Sequence, residues 1–343
     1  MKLTKLTAIA AALSATAMMT AVSAQAATLD EVKSRGELNC VINTGLIGFA
    51  APDANGRWDG FDVAHCRAVA AAVLGDPDKV KFVNATGKTR FTLLNSGEGD
   101  VLFRNTTETM SRDADLKLSF LPITYYDGAG FIVRKSLGVT SAKDLGGASV
   151  CIQTGTTTEL NLADFARAND INYEPVPIET NEEARTNYLA NRCDTYITDA
   201  SGLAATRATF DNPRDHIILP ELISKEPLGG AVRHGDDQWF DVNKWVISAL
   251  ILAEELGITQ SNVSSMASAP GKSGDINRML GTEGDFGAMI GLDKQWAVRA
   301  IAAGGNYGEI FDRFLGPNTE IGLERGLNAL YTDGGIMYAA PVR

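Results

Sequence analysis

Histidine is scarce in this chain. Its 343 residues hold three, His65, His216 and His234, far apart in sequence. No HExxH and no GxSxG occurs, and no GxGxxG follows a strand-like run. Gly271-Lys272-Ser273 imitates the end of a phosphate-binding loop, but the glycine required five residues before Gly271 is Met266. Nucleophilic triads, multi-histidine metal sites and nucleotide loops therefore lack support, and neither a catalytic residue, a metal nor a cofactor is expected. The four cysteines include no CxxC pair, which disfavours a zinc site. Basic runs are missing as well. With a formal charge of -11 the surface repels nucleic acid and anionic lipid and stays soluble. Apart from Leu6 to Val22, no stretch is long and apolar enough to span a bilayer.

What is present begins with an address. Lys2 and Lys5 form a positive start, Leu6 to Val22 is apolar and Ala-rich, and Ala24-Gln25-Ala26 supplies the small residues of a cleavage site. That is the layout of a secretory signal peptide over residues 1–26, so the mature chain is expected to start near Ala27, in the periplasm. The segment removed carries two lysines and no acids, leaving a charge of -13. The remainder is long enough for two domains, and 45% hydrophobic with 21% charged residues suits a soluble globular protein.

Cys40, Cys66, Cys151 and Cys193 all lie in the mature chain, and an oxidising compartment turns an even count into two expected disulfides. Leu38, Cys40 and Ile42 alternate on one strand face, while Val63, Cys66, Val69, Ala70 and Val73 make a helix stripe. A helix packed on that strand brings Cys40 to Cys66. Cys151 lies in the strand-like Ser149–Ile152 and Cys193 immediately precedes the strand-like Asp194–Thr198, which leaves Cys151–Cys193 as the second pair.

Strands and helices alternate twice. Leu38–Ile42, Val80–Val83 and Asp100–Phe103 read as strands around a helix Asp62–Leu74 and a short helix from Arg90. Ser149–Ile152, Tyr173–Pro177 and Thr195–Thr198 repeat the pattern around helices Thr156–Asn169 and Glu182–Ala190. Two α/β units with largely parallel sheets follow. Gly130–Lys135 and Gly230–His234 are short extended segments opened by Gly and closed by a basic residue, and they are expected to be the two strands of a hinge. The expected lobes are residues 27–134 plus 229–343, and residues 135–228. Helices are expected over Trp239–Leu256, Trp296–Ala303, Tyr307–Leu315 and Leu323–Leu330, in a C-terminal extension that wraps the first lobe.

Three local signals carry chemistry. The loop Arg104–Arg112 follows the strand Asp100–Phe103, where open α/β sheets bind ligands. Arg112 there can clamp a carboxylate with two parallel hydrogen bonds, or pair with Asp113 or Asp115. Thr156-x-x-Glu159 fits a capping box, so Thr156 marks a helix start whose free amides also suit a carboxylate. Asp199 follows a strand, and its carboxylate can hold an ammonium group or cap the Ser201–Thr206 segment. Together they form a receptor for a zwitterion, divided between the two lobes and completed by hinge closure.

At this point the chain resembles a known family. Gly60-Phe61-Asp62-Val63, Arg90-Phe91-x-x-Leu94-x-Ser96-Gly97-x-x-Asp100-Val101, Thr109-x-x-Arg112, Asp144-Leu145-x-Gly147 and Gly155-Thr156 are similar to the periplasmic amino-acid-binding proteins of polar amino-acid ABC importers, over residues 28 to 260. Cys151–Asp164, Gly235–Phe240, Gly305–Glu309 and Gly326–Leu330 resemble the general L-amino-acid-binding branch and extend the match over nearly all of the mature chain. The resemblance implies a two-lobed α/β fold of the type II periplasmic-binding-protein class. It also implies a monomer that captures free L-amino acids, broadly with a lean to polar ones, and hands them to inner-membrane ABC permease subunits. By the motif, Thr107 and Arg112 hold the α-carboxylate, Thr156 assists and Asp199 takes the α-amine, while Asn43 and Phe49 line the side-chain pocket. Relatives of this branch often carry an aromatic residue where this chain has Glu108; a Glu108 facing the pocket disfavours acidic ligands. A dehydratase-type enzyme on the same fold would need an acid or base at the ligand, for which Glu108 is the residue available. An amino-acid sensor would share the site.

Overall fold

The computed structural model describes residues 27–269 and 273–343, so the signal-peptide reading of residues 1–26 lies outside the described residues. Two five-stranded sheets are built on one plan. The first runs Val80–Ala85, Leu38–Asn43, Val101–Leu102, Glu226–Arg233, Leu118–Asp127. The second runs Glu174–Ile178, Ser149–Gln153, Thr195–Asp199, Ala129–Arg134, His216–Ile218. In each, the first three strands and the fifth run the same way, and the fourth runs against both its neighbours. Each sheet is thus largely parallel in strand direction, as expected, with one strand reversed. The reversed strand of each sheet is the one that directly follows a crossing between the lobes.

Both expected boundaries are displaced. Ala129–Arg134 pairs with Thr195–Asp199 in the second sheet, so the chain crosses at Gly128 and not near residue 135. It returns between Ile218 and Glu226, because Glu226 already pairs with Asp127 of the first sheet. The Gly-Phe-Ile-Val and Gly-Ala-Val runs are apolar because each lies buried within a sheet, which is not the setting of a hinge strand. The crossings themselves lie side by side. A Cβ on Gly128 would stand 2.8 Å from the Ser224 carbonyl oxygen, and the Ala129 amide donates to Ser224 Oγ at 3.0 Å.

The helix Phe61–Leu74 packs on the first sheet. Gly60 opens it at φ 133°, where any Cβ would fall 2.4 Å from the Phe49 carbonyl oxygen; only glycine fits that approach. Left-handed Gly75 closes it. Cys66 from this helix is bonded to Cys40, with Cα atoms 6.1 Å apart, and Cys151 to Cys193 at 5.5 Å, the pairing read from the sequence.

The C-terminal extension wraps the first lobe as expected. Helices Trp296–Gly304 and Tyr307–Phe314 lie against Phe61–Leu74 and Asp237–Glu255. Arg299 donates to the Ala71 and Ala72 carbonyls at the free C-terminal end of the first of these. Phe311 stacks on Tyr125 and meets Phe61 edge-on. The polar stretch after Gly257 holds short helices at Val263–Ala267, Gly274–Met279 and Phe286–Met289. Leu323–Leu330 is not a helix beyond one turn at Gly326–Asn328. Left-handed Gly322 and Gly326 break it, and the Asn328 amide instead pairs with both backbone groups of Tyr126 at the edge of the first sheet.

Candidate functional site

A narrow cavity lies between the lobes. Its walls come from the carboxyl ends of parallel strands in both sheets, where an open α/β layer places loops and helix starts. The first lobe supplies Asn43, Arg90, Arg104, Asn105 and Thr107; the second supplies Gln153, Thr156–Thr158, Asn181, Thr198 and Asp199.

Three guanidinium groups gather on the first-lobe side. Arg112 sits in a wide turn over Ser111–Asp115, buried, and donates from Nη1 to the Thr107 carbonyl at 2.7 Å. It does not pair with Asp113 or Asp115. Its Cζ lies 5.1 Å from the Phe91 ring centroid, and Arg90 packs on the same ring at 4.7 Å. Arg90 lines the cavity, and Arg112, on the same ring, braces the loop that carries Thr107 and feels the charges of Glu226 and Asp199. Arg90 donates toward the Arg104 and Asn105 carbonyls and Thr106 Oγ1 at 3.3–3.4 Å, and reaches Gly155 of the other lobe at 3.5 Å. Arg104 donates from Nε to Ala85 at 3.1 Å, and burial holds it down to about 10 despite Asp199 and Asp62 nearby. Asp62, pushed up to about 7 by burial, accepts the Asn105 amide at 3.3 Å and so supports the left-handed turn there.

Asp199 faces these cations from the second lobe. It precedes the helix Ala200–Ala208 but its side chain makes no capping bond. Asp127, in the hinge, takes that role: its carboxylate accepts the Ser201 amide at 3.2 Å and the Gly128 amide at 2.8 Å. The Asp199 carboxyl is thereby left to the cavity. Burial, then Asp127 and Glu226, hold its pKa well above the usual carboxylate range, and Arg90 and Arg104 pull the other way. Burial also pushes Asp127 up to about 6.

Glu226 begins the returning strand and is 1% exposed. One oxygen accepts Thr107 Oγ1 at 2.5 Å and Thr157 Oγ1 at 3.0 Å; the other accepts Asn161 at 2.6 Å and Ser224 at 2.7 Å. One carboxylate therefore ties both lobes and a crossing segment together. The Thr107 hydroxyl is consequently committed as a donor to Glu226. Thr156 lines the cavity and precedes the helix Thr157–Ala168, but its hydroxyl donates to the Gln153 carbonyl at 2.7 Å, and Glu159 accepts from the Gly155 amide at 2.7 Å. The reciprocal capping box is not formed, and the first amides of this helix carry no side-chain cap.

Asn43 is on the wall and accepts the Gly45 amide at 3.1 Å. Phe49 is not. The exchange of backbone bonds between Leu46 and Ala50 turns Leu46 to the cleft and Phe49 to the core, where it meets Phe61 and Tyr125 at 6.1 Å. Glu108 is exposed, and partial burial and Asp113 raise its pKa. Sequence reasoning missed Arg90, Arg104, Asp127, Thr157, Asn181 and Glu226. A usable signal existed for Glu226, a carboxylate opening the otherwise apolar run Pro227–Val232.

Residues 38–260 match the bacterial extracellular solute-binding proteins, family 3. The chain belongs to that family. It is similar to the glutamate/glutamine/aspartate/asparagine-binding protein BztA of Rhodobacter capsulatus, 59% identical over 96% of this chain and 97% of the relative. The general L-amino acid-binding periplasmic protein AapJ of Rhizobium johnstonii is 56% identical over 94% of each. Among solved structures, an ABC transporter periplasmic binding protein from Brucella ovis with glutathione bound superposes at a TM-score of 0.90, with 53% identity, covering 93% of this chain and 100% of that one. The two-lobed α/β architecture is therefore that of the family. Among the described residues no helix is long and apolar enough to cross a membrane.

Proposed function

We propose that this protein is an exported periplasmic receptor that captures free L-amino acids between its lobes and delivers them to an inner-membrane ABC permease. The observation that carries the reading is the division of charge across the cavity. A half-buried, uncapped carboxyl, Asp199, faces guanidinium groups contributed by the other lobe. A zwitterion fits that division: its ammonium meets Asp199, and its carboxylate meets Arg112, with Arg90 beside it, and the free amides that follow Thr156 at the start of the helix Thr157–Ala168. Arg112 spends Nη1 on the loop that carries Thr107 and offers the rest of its guanidinium to that carboxylate, and Thr157 shares with Thr107 the contact to Glu226. The names of BztA and AapJ agree with an amino-acid ligand. The enzyme alternative rested on Glu108, which faces solvent and off the cavity wall; the same orientation leaves acidic amino acids acceptable.

The test is a calorimetric titration of the refolded mature protein with L-amino acids, their D-isomers and the decarboxylated amines. Tight binding of several L-amino acids and loss for the amines is the expected result. Silence across the panel would remove the amino acid from the argument.

A further inference from the structure

Buried polar atoms without partners are uncommon, because each forfeits about 1–3 kcal/mol relative to water. Residues of the cavity wall hold four, on Arg90, Arg104, Asn105 and Asn181, and the pair Arg104 and Asn181 comes from opposite lobes. Arg104, 3% exposed, spends Nε on Ala85 and leaves Nη2 with no hydrogen-bond partner. Asn181, 7% exposed and placed by the start of its helix in the second lobe, donates from Nδ2 to the Tyr196 hydroxyl at 3.2 Å and leaves Oδ1 unpartnered. Tyr196 is close to both, since the Arg104 charge acts on its hydroxyl. These atoms are distinct from the groups assigned to the α-carboxylate and α-amine.

We propose that Arg104 and Asn181 form a side-chain subsite for a planar oxygen-bearing end group, so that the receptor takes both acidic amino acids and their amides. The inference rests on the reading of the protein as an amino-acid receptor. An amide end group satisfies both free atoms as they stand: its oxygen accepts from Arg104 Nη2, and its NH2 donates to Asn181 Oδ1. A carboxylate end group has nothing to donate. It still accepts from Arg104, and Asn181 accommodates it by turning its amide over, so that Nδ2 faces the ligand and Oδ1 faces Tyr196. The tyrosine permits that exchange because its hydroxyl accepts in one state and donates in the other. Asn181 is thus a reversible donor or acceptor, and its freedom to turn is what admits two ligand chemistries to one place.

Two variants separate the roles. Asn181→Asp keeps the size but fixes an acceptor, so the ratio of L-glutamine to L-glutamate affinity should rise tenfold or more. Arg104→Gln removes a charge that also acts on Asp199, so all three ligands lose affinity, but L-glutamine and L-glutamate should lose at least tenfold more than L-alanine, which has no end group. Calorimetry with these three amino acids reads all of this, and thermal unfolding monitors the fold of each variant. An unchanged glutamine-to-glutamate ratio in Asn181→Asp overturns the subsite. So does an equal loss for all three ligands in a folded Arg104→Gln. A wild-type protein that binds neutral L-amino acids but neither glutamate nor glutamine removes the subsite and leaves the receptor standing.

Discussion

Asp62 and His65 lie one turn apart on the helix Phe61–Leu74, both buried, and burial shifts them in directions that oppose each other in acid. Asp62 is pushed up to about 7, against Arg104 and the Asn105 amide, which favour its charge. His65 is pushed down to about 4; its Nδ1 bonds the Phe61 carbonyl at 2.8 Å, its Nε2 has no partner, and Phe61 and Phe103 enclose the ring. A raised carboxyl binds its proton in the folded state first, so acidification from pH 7 to 3.8 stabilises the fold by about 4 kcal/mol through Asp62. A depressed histidine does the reverse. The unfolded chain takes its proton at pH 6.5 and the folded one only near 4, so the same acidification costs about 3 kcal/mol through His65. The two nearly cancel. Asp62→Asn removes only the compensating half and keeps an oxygen for the Asn105 amide. Urea unfolding of wild type and variant at steps between pH 7 and 4 should therefore show the variant's advantage shrinking by about 4 kcal/mol on acidification. A constant difference between the two curves would refute the reasoning, because it would mean that Asp62 is ionised throughout.

Three further outcomes are expected. Asp199→Asn should weaken L-amino acids by about 1.5–3 kcal/mol, the worth of a hydrogen bond to a charged group. Ligand ammonium stabilises ionised Asp199, so wild-type binding should release protons and tighten as pH rises, and calorimetry in two buffers of different ionisation heat should find that release gone in the variant. Replacing Cys151 and Cys193 by serine opens a loop of 42 residues and should lower stability in urea by about 4 kcal/mol; the 26-residue loop of Cys40–Cys66 should lose slightly less. Gly128→Ala sets a methyl group against the Ser224 carbonyl and Leu222, and should destabilise the closed form by about 1–3 kcal/mol, read as weaker binding by the folded variant.

Much of this architecture was legible because it is local. The strand face of Leu38, Cys40 and Ile42 and the stripe through Cys66 are short-range periodicities, and they led to the first disulfide. Asp199 was legible as a carboxylate at a strand end, but its freedom from capping was not, since Asp127 fills that role from 72 positions earlier in the chain. Glu226 and Thr107 meet across 119 positions, and no local pattern marks such a pair. The hinge was misplaced for a related reason: a short apolar run opened by glycine reads the same within a sheet as between sheets. Phe49 failed because one tight turn, Leu46 to Ala50, decides which of two apolar side chains meets the cleft.

The cysteines pair in the order in which they occur along the chain, first with second and third with fourth. A polypeptide that crosses a membrane amino end first presents Cys66 while Cys151 is still behind it, so the first bond can close inside a strand–helix unit that is already complete. Neither bond joins one lobe to the other, since Cys40 and Cys66 lie on one side of Gly128 and the second pair between the crossings. Oxidation can thus proceed vectorially, without a wrong partner having to be exchanged later. The finished staples also leave the opening and closing of the cleft untouched by redox state.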